Sequence, residues 1–232
     1  MPTTDWITTR PIAHRGLHQG TAVPENSLAA FGAAIANHHP IELDVQLMSD
    51  GHLAVFHDRD LKRLTGQKGR IAYQTLGSLK QFRLYHSDQT IPSLAEVLAY
   101  IDGRVPVLIE IKNEKKVGPP EQALVKTLVG YGGEFAVQSF NPRSLQWFKR
   151  YAPEIVRGQL ASKPQQFLRS NLLLTWASTP HFISYNVKAL PNLPTTLARQ
   201  RFNLPLLAWT VRSQADCDRA IQYADNYIFD PY

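Results

Sequence analysis

The stretch that decides the fold runs from Ile41 to Leu61 and reads IELDVQLMSDGHLAVFHDRDL. It begins with apolar and acidic residues in alternation. Successive side chains of a strand point to opposite faces, so this alternation places Glu42 and Asp44 on one face. Two adjacent carboxylates repel each other unless a cation or an acid/base site uses both. The stretch therefore predicts a strand that carries a functional acidic pair.

The Asp50-Gly51 dipeptide in the middle of this stretch predicts a β-hairpin. A two-residue loop would place Ser49 opposite His52, and the same register would place Asp44 opposite His57. Directly paired residues project from the same face about 5 Å apart. On this register the hairpin brings two carboxylates and an imidazole to one place. A longer loop would shift the pairing, and an ordinary hairpin with polar decoration is the alternative.

Composition narrows the class of protein. Of the 232 residues, 44% are hydrophobic and 19% are charged, which is typical of a soluble globular protein. The single cysteine, Cys217, excludes an intramolecular disulfide framework and a zinc site made of cysteines. Residues 1–10 lack the apolar segment of a signal peptide, and no run approaches the ~18 apolar residues of a membrane span. We therefore expect a cytoplasmic protein without stable membrane insertion.

The net charge of +6 favours anionic partners. The basic residues are dispersed, with short clusters such as Lys62-Arg63 and residues 112–116. The chain has no basic arm and no stripe of interleaved basic and aromatic residues of the kind that nucleic-acid-binding proteins carry. We expect no nucleic-acid partner, and the sequence leaves a monomer and a homodimer both open.

Strand and helix patterns alternate along the rest of the chain. The run from Val105 to Lys112 is almost continuously apolar, which is typical of a parallel strand buried on both faces. We predict an α/β fold, a (β/α)8 TIM barrel with a small inserted segment, about residues 59–89, after the second strand hairpin. One domain is predicted to span residues 1–232. A doubly wound sheet is disfavoured because no G-x-G-x-x-G loop follows the first strand.

The predicted elements have definite bounds. Three helices are expected to begin directly after the capping residues Ser27, Ser93 and Ser213. Further helices are predicted at residues 120–131, 143–151, 163–174 and 195–201. Besides the hairpin strand and its return arm, strands are predicted at residues 11–13, 105–112, 135–139, 155–160, 181–185, 206–211 and 226–230.

Polar residues that interrupt the apolar runs mostly lie at the carboxyl ends of the predicted strands, where (β/α)8 barrels carry their catalytic groups. Glu110 and Lys112 are two residues apart and share a face, like Glu42 and Asp44. Three carboxylates without cysteine favour the hard cations Mg²⁺ or Ca²⁺ over Zn²⁺. The alternative is an internal ion pair with Lys112 or Arg15.

Two histidines, His14 and His57, flank this predicted cation site. An imidazole titrates near neutrality, so one histidine can take a proton from the attacking group while the other gives one to the leaving oxygen. Asp58 is a candidate partner that would orient His57. Lys112 and Arg15 can neutralise a phosphoryl oxygen. Together these residues predict a site for metal-assisted phosphoryl transfer, and structural histidines are the alternative.

Short motifs in a specific order run through essentially the whole chain and are densest over residues 12–65. They are His14-Arg15-Gly16, Pro24-Glu25-Asn26-Ser27, Ile41-Glu42-Leu43-Asp44-Val45, Asp50-Gly51, Val55-Phe56-His57-Asp58 and Leu108-Ile109-Glu110-Ile111-Lys112, with weaker matches at Gln138-Ser139-Phe140 and Trp209-Thr210-Val211. Each motif alone is weak. As a set, the motifs resemble those of the glycerophosphodiester phosphodiesterase family.

The resemblance implies a (β/α)8 barrel that hydrolyses glycerophosphodiesters, such as glycerophosphocholine and glycerophosphoethanolamine, to sn-glycerol 3-phosphate and an alcohol. It implies Glu42, Asp44 and Glu110 as ligands of a divalent cation, His14 and His57 as the acid/base pair, and Arg15 and Lys112 as phosphate contacts. It also places Glu25 near the cation, although a carboxylate before a helix is stabilised there by the helix dipole as well. Phe140 and Trp209 are expected to line the substrate pocket, with core packing as the alternative.

Some features are left open by the sequence. Arg212 stands where the family usually has Asn after Trp-Thr-Val, so the preferred alcohol is undetermined. The attacking group is either water or the substrate's own glycerol 2-hydroxyl. A phospholipase-D-like activity on lysolipids or sphingolipids would need an apolar lip that the polar insertion does not offer. A non-catalytic binding module is disfavoured because all the metal and acid/base positions are filled.

Overall fold

The computed structural model describes residues 5–113, 117–162 and 177–232. The predicted helix at 163–174 lies outside the described residues. The chain divides into two compact units: the first comprises Met1–His14 and Ala136–Tyr232, and the second comprises Arg15–Phe135. The prediction of one domain over residues 1–232 stays a prediction.

Helices and strands alternate within the described residues. The strands are β1 (Ile12–His14), β2 (Ile41–Leu47), β3 (Leu53–Val55), β4 (Val107–Ile111), β5 (Phe135–Ser139), β6 (Arg157–Ala161), β7 (Phe182–Asn186), β8 (Leu206–Val211) and β9 (Asn226–Phe229). The α-helices are α1 (Trp6–Thr9), α2 (Leu28–Ala36), α3 (Lys62–Thr65), α4 (Leu94–Ile101), α5 (Pro119–Leu128), α6 (Pro142–Tyr151), α7 (Leu193–Phe202) and α8 (Gln214–Tyr223). Short 3₁₀ helices lie at Ile71–Tyr73, Leu76–Gln81, Leu84–His86 and Val187–Ala189.

The predicted helix starts are confirmed by their caps. The hydroxyl of Ser27 accepts a hydrogen bond from the backbone N–H of Ala30 at the start of α2. Ser93 caps α4 in a reciprocal box with Glu96, and Ser213 caps α8. A side-chain oxygen at this position satisfies one of the N–H groups that the first turn leaves without a partner. The eight predicted strands are also present, with small shifts at their ends.

In the second unit, β2 lies between β4 and β3. β2 and β4 are parallel, with Asp44 beside Glu110 in the register. β2 and β3 are antiparallel and form the predicted hairpin. The inserted segment lies after the hairpin, as predicted, and consists of α3 and three 3₁₀ helices, whose apolar side chains form a buried cluster with Phe56. The insertion thereby covers the chain that follows β3.

The predicted hairpin register is wrong by one residue. Val45 pairs with Val55, and the backbone N–H of Phe56 donates to the carbonyl of Asp44 at 2.9 Å, so Asp44 lies opposite Phe56 and not His57. The loop has three residues, because the N–H of Met48 donates to the carbonyl of His52. Its third residue, Gly51, has a φ of +83°, the left-handed conformation that such a loop requires.

In the first unit the strand order is β1-β9-β8-β7-β6-β5, and each neighbouring pair is parallel. One face of β7 and β8 packs on α7 and α8 through a buried cluster that includes Ile183, Tyr185, Ala198 and Cys217. Parallel strands with helices between them are the pattern of the predicted (β/α)8 fold. Among the described helices, none combines the length and the hydropathy that crossing a membrane requires.

Candidate active site

Three buried carboxylates meet in the second unit. Glu42 and Asp44 project from β2, and Glu110 projects from the neighbouring parallel strand β4. Each offers an oxygen, and these atoms all lie within 4.8 Å of one another. The exposed fractions of the three residues are only 1%, 1% and 7%. The period of two along β2 and the in-register pairing of Asp44 with Glu110 explain why the three side chains converge.

The electrostatics of this triad favour a bound cation. Burial raises the pKa of Glu42 well above its ordinary value, and the carboxylates of Asp44 and Glu110 raise it further. Burial, together with the Asp44 carboxylate, raises the pKa of Glu110 to about 7, against the opposing effect of Lys112. The positive charges of Lys112 and Arg15 are therefore too few to keep all three carboxylates ionised. An all-oxygen, buried, acidic donor set fits a hard divalent cation such as Mg²⁺ or Ca²⁺.

Lys112 lies against the same triad. Its Nζ is 2.6 Å from Glu110 Oε1 and 2.9 Å from Asp44 Oδ1. Burial lowers the pKa of Lys112, but Asp44 and Glu110 raise it more, so that it stays above its ordinary value. The ammonium is therefore charged and sits at the acidic cluster, as both the catalytic hypothesis and the ion-pair alternative require.

Arg15 is held among carboxylates at the start of the second unit. Its backbone N–H donates to Glu42 Oε2 at 3.1 Å, and its Nη1 donates to Glu25 Oε1 at 2.6 Å. Its Nε lies 3.2 Å from Asp44 Oδ2. The predicted phosphate contact is thus oriented beside two of the predicted cation ligands.

Asn26 has a role that the sequence reasoning missed. Its Nδ2 donates to Asp44 Oδ2 at 2.9 Å, and its backbone N–H donates to the carbonyl of Arg15 at 3.0 Å. The side chain is 1% exposed. Asn26 therefore orients a predicted cation ligand, and its place in the Pro24-Glu25-Asn26-Ser27 motif was the available signal.

His57 belongs to a group that we call the His57 cluster: His57, Asp58 and Arg63. His57 Nδ1 lies 2.8 Å from Asp58 Oδ1, and Arg63 binds Asp58 through Nε at 2.6 Å and Nη2 at 2.9 Å. The amide of Gln46 donates to the carbonyls of residues 56, 57 and 58 and so fixes this segment. The Asp58 carboxylate therefore reaches the ring nitrogen of His57 from a turn whose carbonyls are bound by Gln46.

Charge states in the His57 cluster follow from these contacts. Burial raises the pKa of Asp58, but hydrogen bonds from Arg63 and His57 lower it more, so the carboxyl is ionised. Burial lowers the pKa of His57, against the attraction of Asp44. An ionised carboxylate only accepts hydrogen bonds, so Nδ1 of the neutral imidazole carries the proton and Nε2 keeps a lone pair.

Arg63 also binds Glu25, a contact that the sequence reasoning did not predict. Nη1 and Nη2 of Arg63 lie 2.9 and 2.8 Å from the two oxygens of Glu25. Burial raises the pKa of Glu25, but the hydrogen bond from Arg63 and the charge of Arg15 lower it more. Glu25 thus stands between two guanidinium groups, while Ser27 supplies the cap of α2.

In the first unit, His14 belongs to a second group of the same composition, the His14 cluster: His14, Asp230 and Arg212. His14 Nδ1 lies 2.6 Å from Asp230 Oδ1, and Arg212 Nε lies 2.6 Å from Asp230 Oδ2. Parallel pairing of Ala13 with Phe229 places the residues that follow them side by side. The backbone N–H of Asp230 donates to the carbonyl of Val211 at 3.0 Å. The sequence reasoning gave Asp230 no role.

Phe140 and Trp209, both predicted to bind substrate, are in contact in the first unit. Their rings meet edge to face with centroids 5.6 Å apart. Phe140 is 41% exposed. Within the described part of the chain, no acceptor binds the buried Nε1 of Trp209. An aromatic pair with an unused donor is suited to a ligand with both apolar and polar atoms.

The structure therefore groups the predicted residues within each unit. The second unit brings together the carboxylates, His57 and the two basic residues, that is Glu25, Glu42, Asp44, Glu110, His57, Arg15 and Lys112. The first unit holds His14, Phe140 and Trp209.

Comparison with known proteins shows the family. A sequence model described as the glycerophosphoryl diester phosphodiesterase family matches residues 14–229. The glycerophosphodiester phosphodiesterase of Caldanaerobacter subterraneus subsp. tengcongensis is 33% identical over 227 residues, covering 91% of this chain and 89% of that protein. A protein of the same name from Bacillus subtilis is 26% identical over 249 residues, covering 95% and 83%. The chain belongs to the glycerophosphoryl diester phosphodiesterase family and is a phosphodiesterase, the predicted class of enzyme.

Solved structures show the fold. The chain resembles an Oleispira antarctica phosphodiesterase in complex with the product sn-glycerol-3-phosphate, with a TM-score of 0.84 and 24% identity over 97% of this chain and 93% of that chain. It also resembles the glycerophosphodiester phosphodiesterase of Thermotoga maritima, with a TM-score of 0.76 and 23% identity over 95% and 94%. The fold is a (β/α)8 TIM barrel with one added antiparallel strand, β3, which confirms the predicted fold class.

Proposed function

We propose that this enzyme hydrolyses glycerophosphodiesters, with glycerophosphocholine and glycerophosphoethanolamine as representative substrates, to sn-glycerol 3-phosphate and an alcohol. The observation that carries the proposal is the buried triad of Glu42, Asp44 and Glu110 with two basic side chains against it. A solved phosphodiesterase of similar fold holds the product sn-glycerol-3-phosphate, which supports the same ester class here.

Glu42, Asp44 and Glu110 are the side chains that would hold a divalent cation, Mg²⁺ or Ca²⁺. When bound, such a cation polarises a phosphoryl oxygen and lowers the pKa of an attacking hydroxyl. Arg15 and Lys112 lie at the same carboxylates and would bind the remaining phosphoryl oxygens. These contacts would hold the phosphate in one orientation against the triad.

His14 and His57 are proposed as the acid/base pair. Each holds an aspartate at Nδ1, which leaves Nε2 to accept or donate the transferred proton. One histidine would take the proton of the attacking hydroxyl, and the other would protonate the leaving alkoxide. The attacker is either water or the substrate's 2-hydroxyl. Trapping a cyclic glycerophosphate during turnover would exclude direct water attack as the only route.

The remaining predicted contacts concern the substrate's glycerol and alcohol groups. Phe140 and Trp209 would form an apolar wall, with the Nε1 of Trp209 donating to a hydroxyl or ester oxygen. Glu25 would act by fixing Arg15. We further propose that residues 1–232 act as one domain, because the family match at 14–229 runs through both units. A cytoplasmic location, the absence of a nucleic-acid partner and a monomeric or homodimeric state stay predictions from composition.

The test is release of glycerol 3-phosphate from glycerophosphocholine and glycerophosphoethanolamine with Mg²⁺, with Ca²⁺, and after EDTA. We expect release that requires a cation and is lost in Glu110→Gln but retained in Glu154→Gln, because Glu154 is an exposed carboxylate outside the triad. Absence of release from both esters, with the cation shown to bind, would redirect the proposal to lipid diesters. Absence of cation binding would overturn the assignment of the triad.

A further inference from the structure

We propose that Asp58 and Asp230 are equivalent positioning residues, each of which holds Nδ1 of one histidine so that Nε2 is the reacting nitrogen. Arg63 and Arg212 hold these two aspartates in place. The inference rests on the proposed function, because it concerns how the two acid/base histidines are prepared for proton transfer.

The two clusters share one geometry although they lie in different units. In each, Oδ1 of the aspartate lies against the Nδ1 of the histidine, at 2.8 Å for Asp58 and 2.6 Å for Asp230. In each, Oδ2 of the aspartate accepts from the Nε of the arginine at 2.6 Å. Each carboxylate therefore bridges an imidazole at Oδ1 and a guanidinium at Oδ2, and Oδ1 of Asp58 also accepts from Nη2 of Arg63 at 2.9 Å. A carboxylate used in this way fixes the ring plane and the tautomer of its histidine.

The arginine has a definite role in this arrangement. An aspartate that faces only an imidazole can rotate away or take up a proton. In either case it no longer selects the histidine tautomer that carries hydrogen at Nδ1. A guanidinium at Oδ2 keeps the carboxylate ionised and limits its rotation. Arg63 binds through both Nε and Nη2 and is itself tied to Glu25 and, at 3.3 Å, to the Tyr85 hydroxyl. The inserted segment that carries Arg63 is thereby connected to His57.

The chain contains a pair with the same chemistry and no histidine. Arg199 binds Asp225 with Nη2 at 2.6 Å and Nε at 3.2 Å. Asp225 Oδ2 also accepts from the backbone N–H of Leu206 at 2.8 Å, so this pair stabilises the chain locally. It serves as a matched control for the loss of an arginine-bound aspartate.

The experiment compares Asp58→Asn, Asp230→Asn and Asp225→Asn in the full chain with cation and glycerophosphocholine. Asparagine keeps the shape of the side chain, but its amide can donate to Nδ1 and so favours the tautomer with hydrogen at Nε2. We expect each of the first two variants to lose at least ~10²-fold in kcat, with KM changed less than about 3-fold, as is known for a catalytic histidine given the wrong tautomer. Cation affinity should be unchanged, and Asp225→Asn should alter the melting temperature alone.

Nitrogen NMR of histidine-labelled wild-type protein gives a reading that does not depend on whether a variant folds. Both His14 and His57 should show hydrogen at Nδ1 when neutral. Hydrogen at Nε2 in either ring would overturn the assignment for that cluster. Full kcat in a folded Asp58→Asn or Asp230→Asn variant would overturn it too, provided that His14→Ala and His57→Ala are inactive. If those histidine variants keep the wild-type rate, the proposed function itself fails.

Discussion

The His57 cluster and the His14 cluster have the same three residue types and share the contacts of histidine Nδ1 and arginine Nε with the aspartate, but the chain assembles them in different ways. His57, Asp58 and Arg63 lie within seven consecutive residues, on the turn after β3 and the first helix of the insertion. His14, Asp230 and Arg212 come from the two ends of the sequence and meet through parallel strand pairing. A local turn in one cluster and a long-range strand pairing in the other thus both place an arginine-bound aspartate against Nδ1 of a histidine.

The two clusters are also supported differently. Arg63 is anchored by two carboxylates, and the hydrogen bonds that it donates to Glu25 and then to Asp58 raise its pKa. Arg212 binds Asp230 through Nε at 2.6 Å, and its side chain is 60% exposed. Exposed single ion pairs contribute little because water and salt screen them. The comparison therefore predicts that replacing either histidine lowers turnover to a similar extent, whereas replacing Arg63 lowers it more than replacing Arg212.

The largest effect should come from the histidines themselves. We expect His14→Ala and His57→Ala each to lose at least ~10²-fold in turnover while remaining folded, because each removes one proton-transfer group. His52→Ala is the control, since His52 also has an aspartate neighbour, Asp50 at 3.5 Å, but is exposed. If either His14→Ala or His57→Ala keeps the wild-type rate, the two clusters do not have equivalent roles.

The arginines should separate the clusters. Arg63→Gln is expected to lower kcat about 10-fold, the size typical of a residue that orients a functional side chain through a hydrogen bond. Arg212→Gln should lower kcat only about 2–3-fold, because the Arg212 side chain is largely exposed and water screens its ion pair. Steady-state kinetics of both variants on one substrate provide the measurement. Equal losses, or a rise in KM alone for Arg63→Gln, would contradict this ranking.

The turn at Gly16, which follows His14 and Arg15, offers a test of how closely the backbone approaches α2. Gly16 has a φ of +80°, and a Cβ there would lie 2.7 Å from the backbone carbon of Ala30. Gly16→Ala should therefore destabilise the fold by roughly 2–4 kcal/mol. Gly20 is the matched control, since its φ is +57° but nothing lies within 4 Å of a Cβ, so Gly20→Ala should cost about 1 kcal/mol. Chemical denaturation measures both, and equal costs would contradict the close approach to Ala30.

The smallest effect should be a dependence of stability on pH. Without cation, the folded-state pKa values of Glu42 and Glu110 lie above the unfolded value, with that of Glu110 at about 7. A raised folded-state pKa stabilises the fold fully below the unfolded pKa, and this stabilisation is lost as pH rises through the folded pKa. The melting temperature of the cation-free protein should therefore fall between pH 5 and pH 8.

Added Mg²⁺ should reverse this fall, so the increase in melting temperature on adding cation should be larger at pH 8 than at pH 5. Glu110→Gln should reduce the pH dependence and the response to cation. Asp230→Asn should leave both unchanged, since the triad lies in the unit that contains His57 and not Asp230. An equal response to cation at both pH values would contradict the raised pKa of the triad.

The sequence predicted much of the fold and of the candidate site because those features are local. Helix starts follow from serine caps, and the acidic pair of β2 follows from a period of two. The hairpin register could not be predicted, because Asp50-Gly51 is compatible with loops of two and of three residues, and only the hydrogen bond from Met48 to His52 distinguishes them. Asn26 and Arg63 were missed because their partners are acids that the sequence had assigned to other roles.

What the sequence alone determined is the alternation of strands and helices, the residue types of the candidate catalytic set and the position of Asp58 beside His57, since each depends on spacing within a few residues. The tertiary structure decided that Glu110 joins Glu42 and Asp44, and that Asp230 reaches His14 across 216 positions of the chain. The reason is physical. Spacing sets the face on which a side chain stands, but only the pairing of strands decides which faces meet.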